Sequence, residues 1–168
     1  MLNKLKKLQQ QKSSEGFTII EVMIVLAIAG LIILIVLLAV PALQRNGRNT
    51  AIKNDVTAIA AGISTYASDN EGKAPAVVAD ISQSGSTITI GASGSSLAEA
   101  KVQGGTTVTA QLAPLTPAAP IVPGNITVIL KAKCDGSVSN RSVAIWYSIE
   151  TSKAVPAAAP FNNKCIET

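Results

Sequence analysis

The sequence has no histidine, only two cysteines and only 3% aromatic residues, and each shortage narrows the range of functions. Without histidine, the chain has no Ser-His-Asp or Cys-His catalytic set and no histidine ligand for zinc. Two cysteines, Cys134 and Cys165, are too few for a cysteine-rich metal site. A glycine-rich loop of the kind that cradles phosphate groups is also missing. We therefore predict that the protein is not an enzyme and uses neither a cofactor nor a metal.

Outside the first 16 residues, the chain has almost no net charge, because positive and negative side chains nearly balance. Those residues contain four of the 14 basic side chains and one of the 10 acidic side chains. The rest of the chain therefore has ten basic and nine acidic side chains, and the isoelectric point of about 9.2 reflects mainly the first 16 residues. Because this balance does not predict a nucleic-acid surface, DNA binding is not evident from the sequence.

The main positive feature is a run from Val22 to Val40 that is apolar throughout and carries no charge. At about 1.5 Å per helical residue, it reaches roughly the thickness of the hydrocarbon core of a bilayer. One carboxylate, Glu21, lies within the wider apolar block that begins at Phe17. A charge at the bilayer centre costs about 2.5–3.5 kcal/mol, so Glu21 needs a partner. Lysines precede the run and favour a cytoplasmic N-terminus: Lys4, Lys6, Lys7 and Lys12.

The helical pattern continues beyond the apolar run. Apolar or small residues recur at spacings that predict one helix face: Val40, Leu43, Gly47, Ala51, Val56, Ile59, Ile63 and Tyr66. The opposite face carries charged residues: Arg45, Arg48, Lys53 and Asp55. We expect Arg45, Arg48 and Lys53 to meet solvent or a neighbouring subunit. The first half of the helix is thus apolar all round, and the second half is amphipathic.

The sequence also predicts where this helix ends and where it is weakest. Asn70 or Gly72 can adopt the left-handed cap, and Pro75 prevents the helix from resuming. We therefore predict one helix over residues 17–69. Two residues inside it are predicted points of kinking or local melting: Gly30 and Pro41.

Short strands are predicted after the helix. Two pieces, residues 86–90 and 106–112, are β-prone and lie between clusters of glycine and serine. Residues 113–124 contain four prolines, which predict an extended connector.

The clearest strands form a predicted hairpin. Residues 125–133 and 142–150 each alternate between two sides, and Asp135-Gly136-Ser137 predicts the turn between them. Trp146 and Tyr147 favour packing within this hairpin over a ligand platform. We expect one hairpin face to pack on the second half of the helix, at Ile59, Ile63 and Tyr66.

These elements predict an α+β fold, with a long N-terminal α-helix packed on a small antiparallel β-sheet. In an exported domain, Cys134 and Cys165 most simply form one disulfide. The closed loop of about 30 residues would stabilise the fold by roughly 3–4 kcal/mol. A structural disulfide is favoured over a redox-active pair because the two cysteines lack Cys-x-x-Cys spacing.

The order Gly16-Phe17-Thr18-Ile19-Ile20-Glu21, after a basic leader and before an apolar helix, resembles the class III signal peptide of type IV pilins, type IVa-like in pattern. The resemblance implies that a prepilin peptidase cleaves between Gly16 and Phe17 and methylates the new amine of Phe17. It also implies a pilin fold in four segments. These are a cleaved leader (1–16), a transmembrane or filament-core half-helix (17–40), an amphipathic half-helix (41–71), and a β-sheet head with a C-terminal disulfide loop (72–168).

Glu21 has two interpretations. An acidic residue in the first turns of a helix is favoured by the helix dipole, which is a purely local role. The resemblance implies instead that Glu21 pairs with the amine of Phe17 on a neighbouring subunit, because two charges in an apolar assembly are costly apart and tolerable together.

The resemblance further implies a structural subunit of a type IV pilus, which polymerises into a surface filament for adhesion, twitching motility or DNA uptake. Its partners would be identical subunits, the prepilin peptidase, an assembly ATPase and a platform protein. It would reside in the inner membrane before assembly and outside the cell afterwards. The alternatives are a minor pilin, a type II secretion pseudopilin, and a membrane-anchored extracellular domain that never polymerises.

Overall fold

The computed structural model describes residues 16–91, 95–113, 121–122, 124–150 and 163–168. Its first element is a helix of 51 residues, α1 (Ile19–Asp69). The backbone N–H of Glu21 donates to Oγ1 of Thr18 over 3.3 Å, so Thr18 caps the first turn. The predicted helix over residues 17–69 is therefore confirmed to within two residues.

The C-terminal end of α1 is closed by a left-handed turn. Gly72 has a φ of 74°, and its N–H donates to the carbonyl of Ala67 over 2.7 Å. Glu71 also has a positive φ, of 58°. The side chain of Asn70 donates to the carbonyl of Tyr66 over 2.8 Å. Of the two predicted cap residues, Gly72 thus adopts the left-handed conformation and Asn70 bonds the last carbonyls through its amide.

The chain divides after Pro41 into two compact units, and every core residue of the described chain lies in the second, from Ala42 onwards. Gly30 and Pro41 both occupy helical positions within α1. The kinking or melting that the sequence predicts at these two residues stays a prediction. The leader residues 1–15, all four prolines of the connector and the segment 151–162 lie outside the described residues.

A short 3-10 helix (Val78–Asp80) leads into the first of two sheets. This sheet is antiparallel throughout and has the order β1-β2-β3, with β1 at Ile81–Ser84, β2 at Thr87–Ile90 and β3 at Ala98–Lys101. Only β2 was predicted, because its alternating Thr and Ile carry a strand pattern. The other two strands have weak β propensity and form because β2 supplies a partner on each side.

The second sheet has four strands in the order β4-β5-β6-β7. These strands are β4 (Thr107–Leu112), β5 (Asn125–Ala132), β6 (Val138–Ser148) and β7 (Asn163–Glu167). The predicted β5–β6 hairpin is present, with Val128 opposite Ile145. The α+β class is confirmed, although the single antiparallel sheet of the prediction is two sheets, and β4 runs parallel to β5. Residues 113–124 separate these two strands, which is the length that a parallel crossover needs.

The main core joins the second half of α1 to one face of both sheets. As predicted, Ile59, Ile63 and Tyr66 pack against the hairpin side chains. The buried members from the sheets include Ile88, Ile90, Ile126, Val128, Leu130, Val143, Ile145 and Tyr147. At Gly62 a Cβ atom would lie 2.8 Å from Cδ1 of Ile90, so glycine lets the three-stranded sheet approach the helix closely.

The buried face of α1 differs from the predicted one at its N-terminal end. Leu43 is 72% exposed and Gly47 is exposed, whereas Asp55 is only 3% exposed. The prediction was wrong for Asp55. The predicted face placed Ala51 and Val56, five residues apart, on one side of the helix, although they belong to two different rows of side chains. Asp55 lies three residues after Ile52 and four before Ile59, which is the buried row.

The opposite face of the four-stranded sheet carries a smaller core. Ile129, Ala132 and Ala144 are buried there, and Trp146 packs on them. The predicted disulfide Cys134–Cys165 is present beside them, with a Cα–Cα distance of 5.8 Å. It ties the β5–β6 turn to β7, the last strand of the sheet.

Candidate functional site

The N-terminal candidate site begins in a short non-helical segment. Gly16 and Phe17 precede the first helical residue, and the side chain of Phe17 is 82% exposed. A Cβ atom added to Gly16 would meet no atom within 4 Å beyond its chain neighbours. The peptide bond between Gly16 and Phe17 therefore lies outside the helix, between two exposed residues.

Glu21 lies in the first turn of α1, where unpaired backbone N–H groups favour a negative charge. Thr18 and Glu21 have the spacing of a capping box, and the carbonyl of Thr18 accepts from the N–H groups of Glu21 and Val22 at 3.1 and 3.3 Å. Among the described residues of this chain, no hydrogen bond or ion pair engages the side chain of Glu21, which is exposed. The local role of Glu21 is thus satisfied by the helix, and its carboxylate stays available to another group.

Phe17 and Glu21 lie next to each other on one surface of the helix. Together with Val22, Val25 and Leu26, they line a shallow hollow of about 160 Å³. Glu21 is the one charged residue in this lining. The surface of the hollow is apolar, so it can accept apolar side chains, and Glu21 contributes its hydrocarbon stem to the lining rather than its carboxylate.

The apolar run of α1 is unburied along its length. Large side chains from Val22 to Leu38 are between 46% and 74% exposed. Within the described residues, α1 is the one helix long and apolar enough to cross a membrane, and none of that window is buried. An apolar surface of this size needs lipid or protein against it. Length and composition alone do not separate a membrane span from a signal sequence.

In the middle of α1, a polar clamp fastens the helix to Glu150, two residues after the end of β6. Nε of Arg48 donates to Oε1 of Glu150, and the second guanidinium nitrogen donates to Oε2, both over 2.7 Å. Asn49 exchanges two bonds of 2.8 Å with the backbone of Glu150. The bond from Arg48 lowers the pKa of Glu150, and the same bond raises the pKa of Arg48.

The sequence did not predict this clamp, because its partners are about a hundred residues apart. Arg48 was predicted on a face open to solvent or to a neighbouring molecule, and it instead bonds the head of its own chain. Arg45 and Lys53, which were predicted on the same face, form no ion pair within the described residues. No sequence signal pointed to Glu150 as the partner.

Asp55 holds a loop from inside the core. Its Oδ1 accepts from the N–H of Gln103 over 3.0 Å, and its Oδ2 accepts from the hydroxyl of Thr106 over 2.6 Å. A buried carboxylate needs such donors. The helical row Ile52, Asp55, Ile59 was the signal that could have revealed this buried role.

A second side chain joins the two sheets. The amide of Gln83 donates to the carbonyl of Thr106 over 2.7 Å and accepts from the N–H of Val108 over 2.8 Å. It therefore bonds the outer edge of β4 as a neighbouring strand would. The head is held by core packing, the clamp, the disulfide and these buried polar bonds.

The structure brings Gly16, Phe17 and Glu21 together at the N-terminal end, and Cys134 and Cys165 at the head. No group of three or more potential metal ligands occurs in the part of the chain that the structure describes. The described chain therefore comprises a half-helix with an exposed apolar surface and a head whose last strand is tied by a disulfide.

Comparison with known proteins gives one match, which falls on the N-terminal site. Residues 11–37 match the family model of the prokaryotic N-terminal methylation motif. No curated protein and no solved structure matches the chain significantly. A motif of this kind implies a prepilin peptidase substrate that works with pilus assembly machinery, and it suggests a structural protein. The match confirms the resemblance seen in the sequence: the chain carries the class III signal peptide that is typical of type IV pilins.

Proposed function

We propose that the protein is a structural subunit of a type IV pilus, which polymerises through α1 into a surface filament for adhesion, motility or DNA uptake. The observation that carries the proposal is the methylation motif directly before an apolar helix that is exposed along its length. If the apolar run were only a signal peptide that is removed, the helix would not need to continue into an amphipathic half. Instead, α1 continues through the core of the head.

In this proposal the peptidase cleaves after Gly16, and the amine of Phe17 becomes a methylated cation. Glu21 is exposed beside Phe17 in the hollow that both residues line. A neighbouring subunit then places its Phe17 amine against Glu21, which fixes the register of the two helices. Moving the apolar half from lipid into a filament gains little by the hydrophobic effect, so side-chain packing, this ion pair and an external ATPase drive assembly.

Two other kinds of pilin-like protein are the alternatives to a pilus subunit. A minor pilin or a type II secretion pseudopilin would share the signal and the helix. The disulfide at the C-terminal end of the head favours the pilus subunit, since an exposed filament needs a head that resists unfolding outside the cell. In an anchored domain that never polymerises, Glu21 would serve only the first turn of the helix.

The test is the intact mass and N-terminal sequence of filaments sheared from cells, for wild type, Glu21→Ala and the matched control Glu99→Ala. Glu99 is an exposed carboxylate on β3, so its loss removes one charge from the head. We expect wild type and Glu99→Ala to give abundant filaments of a chain that starts at methylated Phe17. Glu21→Ala should be made and cleaved but absent from the sheared fraction.

Three results would contradict the proposal. A chain that keeps Met1 or stays in the membrane fraction would establish an anchored domain. A cleaved chain present only as a trace would establish a minor pilin or a pseudopilin. Normal filaments from Glu21→Ala would remove the proposed role of Glu21 in assembly.

A further inference from the structure

The distal end of the β5–β6 hairpin carries a cluster of positive charge. Lys131, Lys133 and Arg141, which we call the basic tip, lie within eleven residues of sequence, and the last two are exposed. One carboxylate, Asp135, lies in the same segment, which therefore has a net charge of +2. The ion pairs recorded for the described residues are Arg48–Glu150 and Lys73–Glu71, so none of them involves the basic tip.

The ladder of the hairpin is distorted where two of these cations meet. Leu130 pairs with Val143 and Ala132 with Val138, so one residue of β5, Lys131, faces four residues of β6. Arg141 is one of those four. Lys131 adopts a φ of 58°, which is rare for a residue with a side chain. Strained backbone of this kind is often retained at functional sites.

The turn beyond the distortion is held firmly. The N–H of Lys133 donates to the carbonyl of Ser137 over 2.9 Å, and Cys134 is tied to β7 by the disulfide. Oδ1 of Asp135 accepts from the hydroxyl and the N–H of Ser137 at 2.6 and 2.8 Å. One carboxylate oxygen of Asp135 is thus engaged within the turn, while the side chain of Lys133 is exposed and that of Lys131 is half-buried.

An exposed apolar side chain lies among these cations. Val138, the first residue of β6, is 64% exposed. The backbone of nucleic acid offers phosphates to the cations but mainly polar and charged groups to the valine side chain. The surface of an anionic bilayer offers phosphates to the cations and an acyl boundary to the valine.

We propose that the basic tip, together with Val138, binds the surface of anionic lipid membranes. Anionic lipid would then be a ligand of the adhesive filament. The proposal therefore rests on the proposed function for its role in the cell. Each cation contributes modestly, so a single head binds weakly and an array of heads binds by avidity. Lipid contact at the tip needs neither cleavage at Gly16 nor the Glu21 pair.

The test uses the full-length protein held by its apolar helix in phosphatidylcholine nanodiscs, so that no filament is required. Flotation measures capture of added vesicles made of phosphatidylcholine alone or of equal parts phosphatidylcholine and phosphatidylglycerol. We compare wild type with the triple variant Lys131→Asn, Lys133→Gln, Arg141→Gln, in which asparagine tolerates the left-handed backbone. The matched control neutralises three exposed lysines elsewhere: Lys53→Gln, Lys73→Gln and Lys101→Gln.

Wild type and the control should capture phosphatidylglycerol vesicles and release them as salt is raised. The triple variant should bind roughly a hundredfold more weakly, and Arg141→Gln alone about fivefold more weakly. Emission from Trp146, the one tryptophan, reports whether each head is folded. Since Arg141 is exposed, its single variant tests the surface even if the triple variant unfolds.

Equal capture by wild type and the triple variant, or an unchanged affinity in Arg141→Gln, would overturn the proposal. So would capture of duplex DNA without capture of phosphatidylglycerol vesicles at equal phosphate concentration, which would identify a nucleic-acid surface instead. Because the assay needs no polymer, its failure leaves the filament test unaffected, and failure of the filament test leaves this one intact.

Discussion

Single polar residues decide how the head is fastened together. Asp55 and Glu150 have similar chemistry, yet the first bonds a loop from within the core and the second bonds Arg48 near the surface. The difference follows from burial. A buried carboxylate that loses its partners leaves donors without acceptors, whereas an exposed ion pair is replaced by water.

Replacing Asp55 by alanine should therefore lower the free energy of unfolding by about 1–3 kcal/mol, because the buried hydroxyl of Thr106 would be left without an acceptor and the partly buried N–H of Gln103 would lose its partner. Denaturant titration of the full chain in detergent, followed by Trp146 emission, measures the change. Asp69→Ala is the matched control, since Asp69 is exposed in the last turn of α1. Its removal should be neutral or slightly stabilising, because a negative charge there opposes the helix dipole. Equal losses in the two variants would show that burial does not set the role of Asp55.

The elements differ in how far local sequence determines them. α1 was predicted closely because its pattern extends over 51 residues and ends at a glycine that can turn left-handed. β2, β4 and the β5–β6 hairpin were also predicted, since each alternates in polarity. β1, β3 and β7 were not, because a four- or five-residue strand of Ala, Ser, Lys and Glu forms only beside a partner.

Two glycines within α1 differ in how closely other atoms approach them. A Cβ at Gly62 would lie 2.8 Å from Cδ1 of Ile90 and 3.3 Å from Cβ of Ala100, whereas one at Gly47 would meet nothing within 4 Å. Gly47→Ala should stabilise the head by about 0.5–1 kcal/mol through helix propensity. Gly62→Ala has the same gain but overpacks the core, which typically costs about 1–3 kcal/mol, so we expect a net loss.

The measurement is the denaturant midpoint of each variant under identical conditions. Gly47→Ala serves as the control for propensity, since it makes the same chemical change on an open side of the same helix. If both alanines stabilised the head alike, the close approach of Ile90 to the helix would have no energetic consequence.

At the scale of the whole molecule, two kinds of surface coexist in one chain. The first unit is an apolar helix whose side chains are exposed, and the second has a closed core that begins at Ile52. The first therefore requires lipid or other subunits, while the second can satisfy its own apolar and polar groups.

A chain that starts at Ala42 should therefore fold as a monomer in buffer without detergent, because every residue of the described core is retained. Size-exclusion chromatography and circular dichroism test this, with Trp146 emission compared to that of the full chain in detergent. A chain that starts at Thr57 is the control, since it lacks Ile52, Asp55 and Val56 and should not fold. Aggregation of the longer chain would mean that the head needs the apolar half to fold.

The sequence by itself determined the features that depend on neighbouring residues. These are the processing motif, the length of the apolar run, the helix and its end, and the alternation of the hairpin strands, all of which follow from local periodicity. The pairing of Cys134 with Cys165 was fixed by having only two cysteines.

Only the tertiary structure decided the contacts between distant residues. The parallel pairing of β4 with β5, the bonds from Asp55 to Gln103 and Thr106, and the clamp between Arg48 and Glu150 all join segments that are separated in sequence. Such contacts leave no periodic trace, since their energy arises from desolvation and geometry that exist only once the chain is folded.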